Sequence, residues 1–247
     1  MDYFNPSVAV PHQPFIVSSL AGGLKFVRLI QPDSIDFNIV SEWLDFCKSN
    51  HPECIERSVS INVENLRLID CNNRRIVPAC NHQYVSLSYV WGAPTKGTRV
   101  EDFTQVLPDD LPDTIEHSIL ATRALGFRYL WIDRYCIDRR DRTVFEAQLQ
   151  QMGMIYKNSI LTIVATAGNN DAYGLPGVGA RHRRPQPFAH VDEHFLVSSM
   201  SDPTSLIKTS IWRTRGWTYQ EGCLSTRRLF FTDEHVYYEC QGSFHSE

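Results

Sequence analysis

The sequence predicts an α/β fold: a doubly wound, mainly parallel sheet with N-terminal and C-terminal elaborations that include β-hairpins. Two observations lead to this prediction. Between residues 84 and 167, segments with strand and helix periodicity alternate in the order β-α-β-α-β, and the connections between them are short. This order favours parallel strands, because a helix that packs on a sheet returns the chain to the same edge by a right-handed crossover.

The first strand and helix of this unit are predicted at 84–90 and from Pro112 onward. In the strand, β-prone residues alternate with serines until a Gly/Pro-bearing loop at 91–94. The helix has apolar residues at four- and five-residue steps and ends at Gly126.

Two further strands with a helix between them complete the unit. Residues 129–132 and 159–167 are nearly all apolar, which is typical of strands covered on both faces. Between them, from Phe145 to Tyr156, apolar residues form one stripe of a 3.6-residue period.

The flanks are interpreted as elaborations of the same domain. Residues 24–30 have the pattern of a strand, and Pro32-Asp33 introduces a helix. Two hairpins are predicted, one from residues 66–70 and 75–77, the other from residues 228–231 and 235–240. We therefore divide the chain into an extension (1–39), the α/β domain (40–241) and a tail (242–247).

Composition and charge narrow the function classes. The 247 residues are 43% hydrophobic and 21% charged, which is typical of a globular protein and excludes a disordered one. With a net charge of −4, the chain lacks the overall positive field that draws proteins to nucleic acid or acidic membranes. With no signal peptide or apolar span in the sequence, we expect a cytoplasmic protein with reduced thiols.

Polar and aromatic residues follow each predicted parallel strand, at 88–92, 133–138 and 167–170. Ligands of open parallel sheets bind at the carboxyl ends of the strands, so these segments form the predicted site. A structural alternative stays open, in which Ser88 and Asp133 cap helices and Trp91 covers the core edge.

Cysteine and histidine residues allow a metal site to be considered. Cys47, His51 and Cys54 are zinc-ligand types, but their spacing lacks a C-x2-C knuckle, so buried thiols are favoured and no metal is predicted. The same holds for the later ligand-type residues Cys71, Cys80 and His82. No G-x-G-x-x-G or Walker loop follows the first strand, which disfavours a redox Rossmann site and an NTPase.

Six blocks of sequence carry a resemblance to a known family. They are Tyr84-Val85-Ser86-Leu87-Ser88-Tyr89-Val90-Trp91-Gly92, Leu111-Pro112-x-Thr114-Ile115, Tyr129-Leu130-Trp131-Ile132-Asp133-x-x-Cys136-Ile137, Met152-x-x-Ile155-Tyr156, Gly174-Leu175 and Arg215-Gly216-Trp217-Thr218-x-Gln220-Glu221-x-x-Leu224-Ser225. In this order they resemble the fungal heterokaryon-incompatibility (HET) domain, over about residues 40–241. Many members have Gln after the Cys-Ile pair, where this chain has Asp138.

The HET domain in turn resembles the Toll/interleukin-1 receptor (TIR) domain, which has a flavodoxin-like sheet. The Trp217-x-x-x-Glu221 spacing matches a TIR segment whose glutamate cleaves NAD⁺. The resemblance implies that Glu221 is catalytic; the alternative is a structural ion pair with Arg213, Arg215 or Arg227. The residues expected to bind the substrate are Ser88, Tyr89, Trp91, Gly92, Asp133, Arg134, Cys136 and Trp217.

The chemistry suits a single carboxylate. Nicotinamide leaves NAD⁺ as a neutral molecule, so no general acid is needed, and a carboxylate can stabilise the positive charge of the transition state. The resemblance implies an effector of programmed cell death and innate immunity that hydrolyses NAD⁺ as substrate, without a cofactor, when self-associated as a dimer or larger oligomer.

The alternative is a non-catalytic self-association module. In either case we expect a regulatory domain or partner protein, no nucleic-acid or membrane partner, and a chain that is the effector part of a larger protein.

Overall fold

The computed structural model describes residues 16–19, 29–57, 63–92, 105–192 and 194–247. Most of the strand predicted at 24–30, and the part of the predicted 91–94 loop that follows Gly92, lie outside these ranges. In chain order the strands are β1 (Ile16–Ser19), β2 (Arg67–Asp70), β3 (Arg75–Pro78), β4 (Tyr84–Ser88), β5 (Tyr129–Trp131), β6 (Leu161–Ala165), β7 (Phe188–Val191), β8 (His194–Val197), β9 (Arg227–Phe231), β10 (Val236–Cys240) and β11 (Phe244–Ser246).

An eight-stranded mixed sheet organises the domain, in the order β11-β10-β9-β6-β4-β5-β2-β3. Its centre, β5-β4-β6-β9, is parallel throughout. The two predicted hairpins are confirmed and form the antiparallel edges, β2 with β3 and β9 with β10. The α/β class with a mainly parallel central sheet is therefore confirmed.

The order of the parallel strands determines where a ligand can bind. Numbered along the chain, the four parallel strands are arranged 2-1-3-4, as in the first four strands of a flavodoxin-like sheet. The chain leaves β4 toward β5 on one side and continues with β6 on the other, so the topological switch point lies at the carboxyl ends of β4 and β6.

Helices cover the sheet and the ends of its strands. They are α1 (Phe37–Asn50), α2 (Pro52–Arg57), α3 (Asp113–Ala124), α4 (Asp133–Cys136), α5 (Arg142–Asn158), α6 (Pro203–Thr209) and α7 (Gly216–Leu224), with a 3₁₀ helix at Trp212–Thr214. Asp36 and Asp141 cap α1 and α5 by accepting backbone N–H bonds in the first turn. None of the helices among the described residues is long and apolar enough to cross a bilayer.

The core packs the parallel strands against α1, α3 and α5. All five residues of β4 and of β6 are buried, as expected for strands covered on both faces. Two hydroxyls fasten α5 to the sheet: Tyr84 donates to the Ile155 carbonyl at 2.6 Å, and Tyr156 donates to the Leu87 carbonyl at 3.2 Å. These two hydrogen bonds hold the buried face of α5 against β4.

Two features differ from the sequence analysis. A separate antiparallel sheet, β1-β8-β7, was not predicted. The loop after Gly177 is rich in arginine, a composition that usually indicates a solvated segment, but Arg183 is buried and donates to the carbonyl oxygens of Gln31 and Ser34 and to the Glu247 carboxylate. Arg183 therefore has a structural role, and its hydrogen-bonding partners are far away in sequence.

Candidate functional site

A buried hydrogen-bonded triad lies at the switch point of the sheet. Ser88, the last residue of β4, donates its hydroxyl to the Glu221 carboxylate of α7. The indole Nε1 of Trp212 donates to the same Ser88 oxygen at 2.7 Å. Glu221 is 8% exposed and Ser88 is 1% exposed, so this carboxylate is almost removed from solvent.

Local hydrogen bonds place Glu221 over the end of β4. The Thr218 hydroxyl bonds to the carbonyls of Trp212 and Arg215, each at 2.6 Å, and so fixes the corner between the 3₁₀ helix and α7. At the other end of α7, the Ser225 hydroxyl bonds to the Glu221 carbonyl and to the Thr162 hydroxyl of β6, both at 2.7 Å. Because these bonds hold the helix at both ends, they fix the position of Glu221.

Burial changes the acidity of two carboxyl groups. The pKa of Glu221 is raised to about 7, chiefly by its removal from water; the Ser88 hydrogen bond opposes this change, the charge of Asp133 adds to it, and Arg215 also opposes it. Burial also raises the pKa of Asp133 to about 6, against the backbone N–H of Arg134 and the nearby arginine charges. Both groups therefore titrate close to neutral pH, as acid–base groups of active sites often do.

The positive charge of Arg215 opposes the rise in the pKa of Glu221 without a direct ion pair between them. Its guanidinium donates to the Tyr89 carbonyl at 2.6 Å. Within the described part of the chain, Glu221 forms no salt bridge, so the predicted structural alternative of an ion pair is wrong. Arg227, one of the suggested partners, instead lies against Cys47.

A cationic and aromatic group surrounds the rim of the site. The Arg134 guanidinium bonds to the Asp171 carboxylate at 2.5 Å and lies 4.8 Å from the Trp91 ring centre. Arg139 lies at the same distance from Trp91. Gly92 is required here, because a Cβ at this position would lie 2.1 Å from an Asp171 oxygen.

The predicted residues separate into two groups. The structure brings Ser88 and Glu221 together in the interior, where the charge of the half-buried Asp133 acts on Glu221. It gathers Tyr89, Trp91, Gly92 and Arg134 around Asp171. Tyr89 is buried, and its hydroxyl has no hydrogen-bond partner among the described residues.

Two predicted substrate contacts do not reach this interior. Cys136 is fully buried in the core, where burial raises the pKa of its thiol to about 12, so it neither lines a cleft nor serves as a thiolate nucleophile. Trp217 is 55% exposed and lies one helical turn before Glu221.

Two contributors, Trp212 and Asp171, escaped sequence reasoning. Trp212 precedes α7 outside the recognised blocks, and only its contact with Ser88 shows its role. Arg215, considered as an ion-pair partner of Glu221, instead donates to the Tyr89 carbonyl. Asp171 had a usable signal, because it directly follows the predicted strand-end segment 167–170.

The described residues line a cavity beside the triad and another away from it. One of about 360 Å³ adjoins the triad through Trp212 and Thr218, and Lys208, Arg213 and Arg228 also line it. Small-molecule sites range over roughly 300–1,000 Å³. The other, of about 550 Å³, lies at the amino ends of β4 and β6, next to Tyr84 and Ile160, and is remote from the triad.

Comparison with known proteins identifies one family. The family model described as Heterokaryon incompatibility protein (HET) matches residues 84–221, from the first residue of β4 to the triad glutamate. No curated protein and no solved structure matches the chain. The matched segment covers more than half of the chain and includes all three members of the triad.

Proposed function

This chain belongs to the heterokaryon incompatibility (HET) family, and from that premise we propose that it hydrolyses NAD⁺ to nicotinamide and ADP-ribose, with Glu221 as the catalytic carboxylate. Membership supports a role in heterokaryon incompatibility. The hydrolysis would make the chain an effector of programmed cell death and innate immunity, as the resemblance to TIR domains implies.

The observation that carries this proposal is the position of the Glu221 carboxylate. It is bonded to Ser88 at the carboxyl end of β4, where open α/β sheets bind their ligands. The 2-1-3-4 order of the parallel strands supports the flavodoxin/TIR-like assignment.

The reaction needs one negative group near the ribose. The bond between ribose C1′ and the nicotinamide nitrogen breaks, its electron pair goes to the nitrogen, and neutral nicotinamide leaves. Ionised Glu221 stabilises the positive charge that develops on the ribose, within a site of low dielectric. Water then bonds to C1′ and releases its proton to the carboxylate or to solvent, which gives ADP-ribose.

The Ser88 hydroxyl shows where a substrate hydroxyl can bind. Glu221 accepts a hydrogen bond from this hydroxyl. A ribose hydroxyl can replace Ser88 as the donor or join it as a second donor. The two phosphates need local cations, because the net charge of the chain is −4. Arg139 at the rim and Lys208 in the adjoining cavity supply them.

Self-association belongs to the same proposal. Trp217 is 55% exposed on the helix that carries Glu221, and aromatic side chains are enriched where proteins meet. A second copy seated on this face would change the access to Glu221, which is 8% exposed in the single chain. Clustering is therefore expected to switch activity on.

A second candidate function is a non-catalytic self-association module. The near-complete burial of Glu221 favours it, because a carboxylate bonded to Ser88 and closed off from solvent can also serve to orient α7. In that case the exposed Trp217 would contact a partner, and NAD⁺ would stay intact.

One assay separates the two candidates. Artificially clustered full-length chain is incubated with NAD⁺, and nicotinamide release is followed for wild type, Glu221→Gln and the exposed control Glu146→Gln. We expect release by wild type and the control, and a loss of at least about 100-fold in Glu221→Gln. The wild-type rate should rise with pH through about 7, as Glu221 ionises. If folded wild type released no nicotinamide at any clustering density, the NAD⁺ hydrolase proposal would be refuted. The non-catalytic self-association module would then be the remaining candidate.

A further inference from the structure

Four metal-ligand side chains converge where α1 and α2 meet the end of β10. The sulfur atoms of Cys47, Cys54 and Cys240 and a ring nitrogen of His51 all lie within 4.8 Å of one another. The three cysteines are buried and His51 is half-buried. Cys240 is remote from the other three in sequence, since 189 positions separate it from His51.

The spacing of the four atoms matches a tetrahedral ion. Zinc with Zn–S bonds of about 2.3 Å and Zn–N bonds of about 2.0–2.1 Å separates its ligand atoms by about 3.6–3.8 Å. Cys240 Sγ lies 3.3 Å from His51 Nδ1, and the longest separation in the group is within 4.8 Å. Shifts of an ångström or less would therefore complete the tetrahedron.

The chain geometry presents these ligands on one side. Cys47 lies in the last turn of α1 and His51 is the C-cap residue four positions later, so both face the same direction. Cys54 follows in α2, and Cys240 ends β10. A Cβ at Gly242 would lie 2.7 Å from the His51 ring, so a glycine is needed for the chain after β10 to close over the histidine.

Hydrogen-bond donors surround the sulfur atoms. The Ser243 hydroxyl lies within hydrogen-bonding distance of Cys240 Sγ, at 3.5 Å. Arg227 is only 2% exposed, and its Nε donates a hydrogen bond to Cys47 Sγ at 3.2 Å. Such outer donors orient metal-bound ligands and stabilise thiolates.

The charges also balance. Three thiolates and one Zn²⁺ sum to −1, and the buried Arg227 guanidinium beside them carries +1. A buried charge is stable only when a compensating charge or strong hydrogen bonds accompany it. Zinc thus explains why an arginine is packed against a group of cysteines.

We propose that Cys47, His51, Cys54 and Cys240 bind one Zn²⁺ ion in a structural site. Four protein ligands leave no open position for a substrate, which distinguishes structural from catalytic zinc. The ion would fasten the α1–α2 corner to the C-terminal strand of the sheet. This inference is independent of NAD⁺ hydrolysis, since it uses none of the triad residues.

The sequence analysis predicted no metal because the ligands in the N-terminal segment had poor spacing. Cys71, Cys80 and His82, which were weighed with them, do not join the group. Cys240 does, and its distance along the chain concealed it.

The test is the zinc content of the full-length chain after expression with zinc and gel filtration under reducing conditions. We expect one zinc per wild-type chain, one per chain in the control Cys223→Ser, which alters an exposed cysteine outside the cluster, and none in Cys240→Ser. A chelator should lower the Tm of wild type and of the control, and leave that of Cys240→Ser unchanged.

A second measurement tests the proposal even if Cys240→Ser does not fold. Cobalt(II) added to metal-free wild type should produce the strong visible absorption of tetrahedral thiolate coordination. His51→Cys retains four ligands, so it should bind cobalt with a shifted spectrum. Folded wild type with neither zinc nor this absorption would overturn the proposal, as would an intact mass lower by two hydrogens together with peptide mapping that places the disulfide within the cluster.

Discussion

Replacing Glu221 by glutamine tests whether the candidate site contains a buried carboxyl group with altered acidity. The amide has nearly the same shape, and its oxygen can still accept the Ser88 hydroxyl. Only the ionisable charge is lost. The pH dependence of stability therefore isolates the electrostatic contribution of this one group.

The structure sets the magnitude. A pKa of Glu221 that rises from 4.5 to about 7 makes its ionised form roughly 3 kcal/mol less favourable in the folded chain than in the unfolded chain, at about 1.36 kcal/mol per pH unit. Between these two pH values the folded state keeps a proton that the unfolded state has lost. The contribution of Glu221 to the free energy of unfolding of wild type therefore falls as pH rises through this window and levels off above it.

The variant should lack this decline. Relative to its difference at pH 4.5, the free energy of unfolding of Glu221→Gln should gain roughly 3 kcal/mol over wild type above about pH 7. Urea unfolding, followed by the fluorescence of the five tryptophans, measures the difference at each pH. The control Glu146→Gln removes an exposed carboxylate of α5 and should stay within about 0.5 kcal/mol of wild type throughout. A difference between Glu221→Gln and wild type that is constant across the window would refute the reasoning.

Two further variants test the rim of the site. Arg134→Met leaves the Asp171 carboxylate buried without its partner, so urea unfolding should show a loss of about 3–5 kcal/mol; the exposed control Arg142→Met should change stability by about 0.5 kcal/mol or less. Gly92→Ala places a methyl group 2.1 Å from Asp171, which should destabilise the chain by about 1–3 kcal/mol. Its control is Gly216→Ala, where a Cβ meets nothing within 4 Å; equal effects at the two glycines would contradict the predicted clash.

Much of the fold could be predicted from the sequence because its signals are local. Apolar runs and the stripe between Phe145 and Tyr156 report burial within single elements, and β4, β5, β6, α3 and α5 lie where these patterns placed them. The hairpins were equally visible from their turns. The β1-β8-β7 sheet was not predicted: its β1–β8 pairing joins segments about 180 residues apart, which no local pattern reports. The β7–β8 hairpin was missed as well, although its pairing is local.

The sequence by itself determined the alternation of strands and helices, the HET family and the strand ends at which polar residues gather. Only the tertiary structure decided which of those residues meet. It joined Ser88 to Glu221 across 133 positions, added Trp212, buried Cys136 and placed Cys240 beside Cys47. The physical reason is that periodicity describes how one element faces the core, whereas contacts between distant side chains depend on how the packed elements cross.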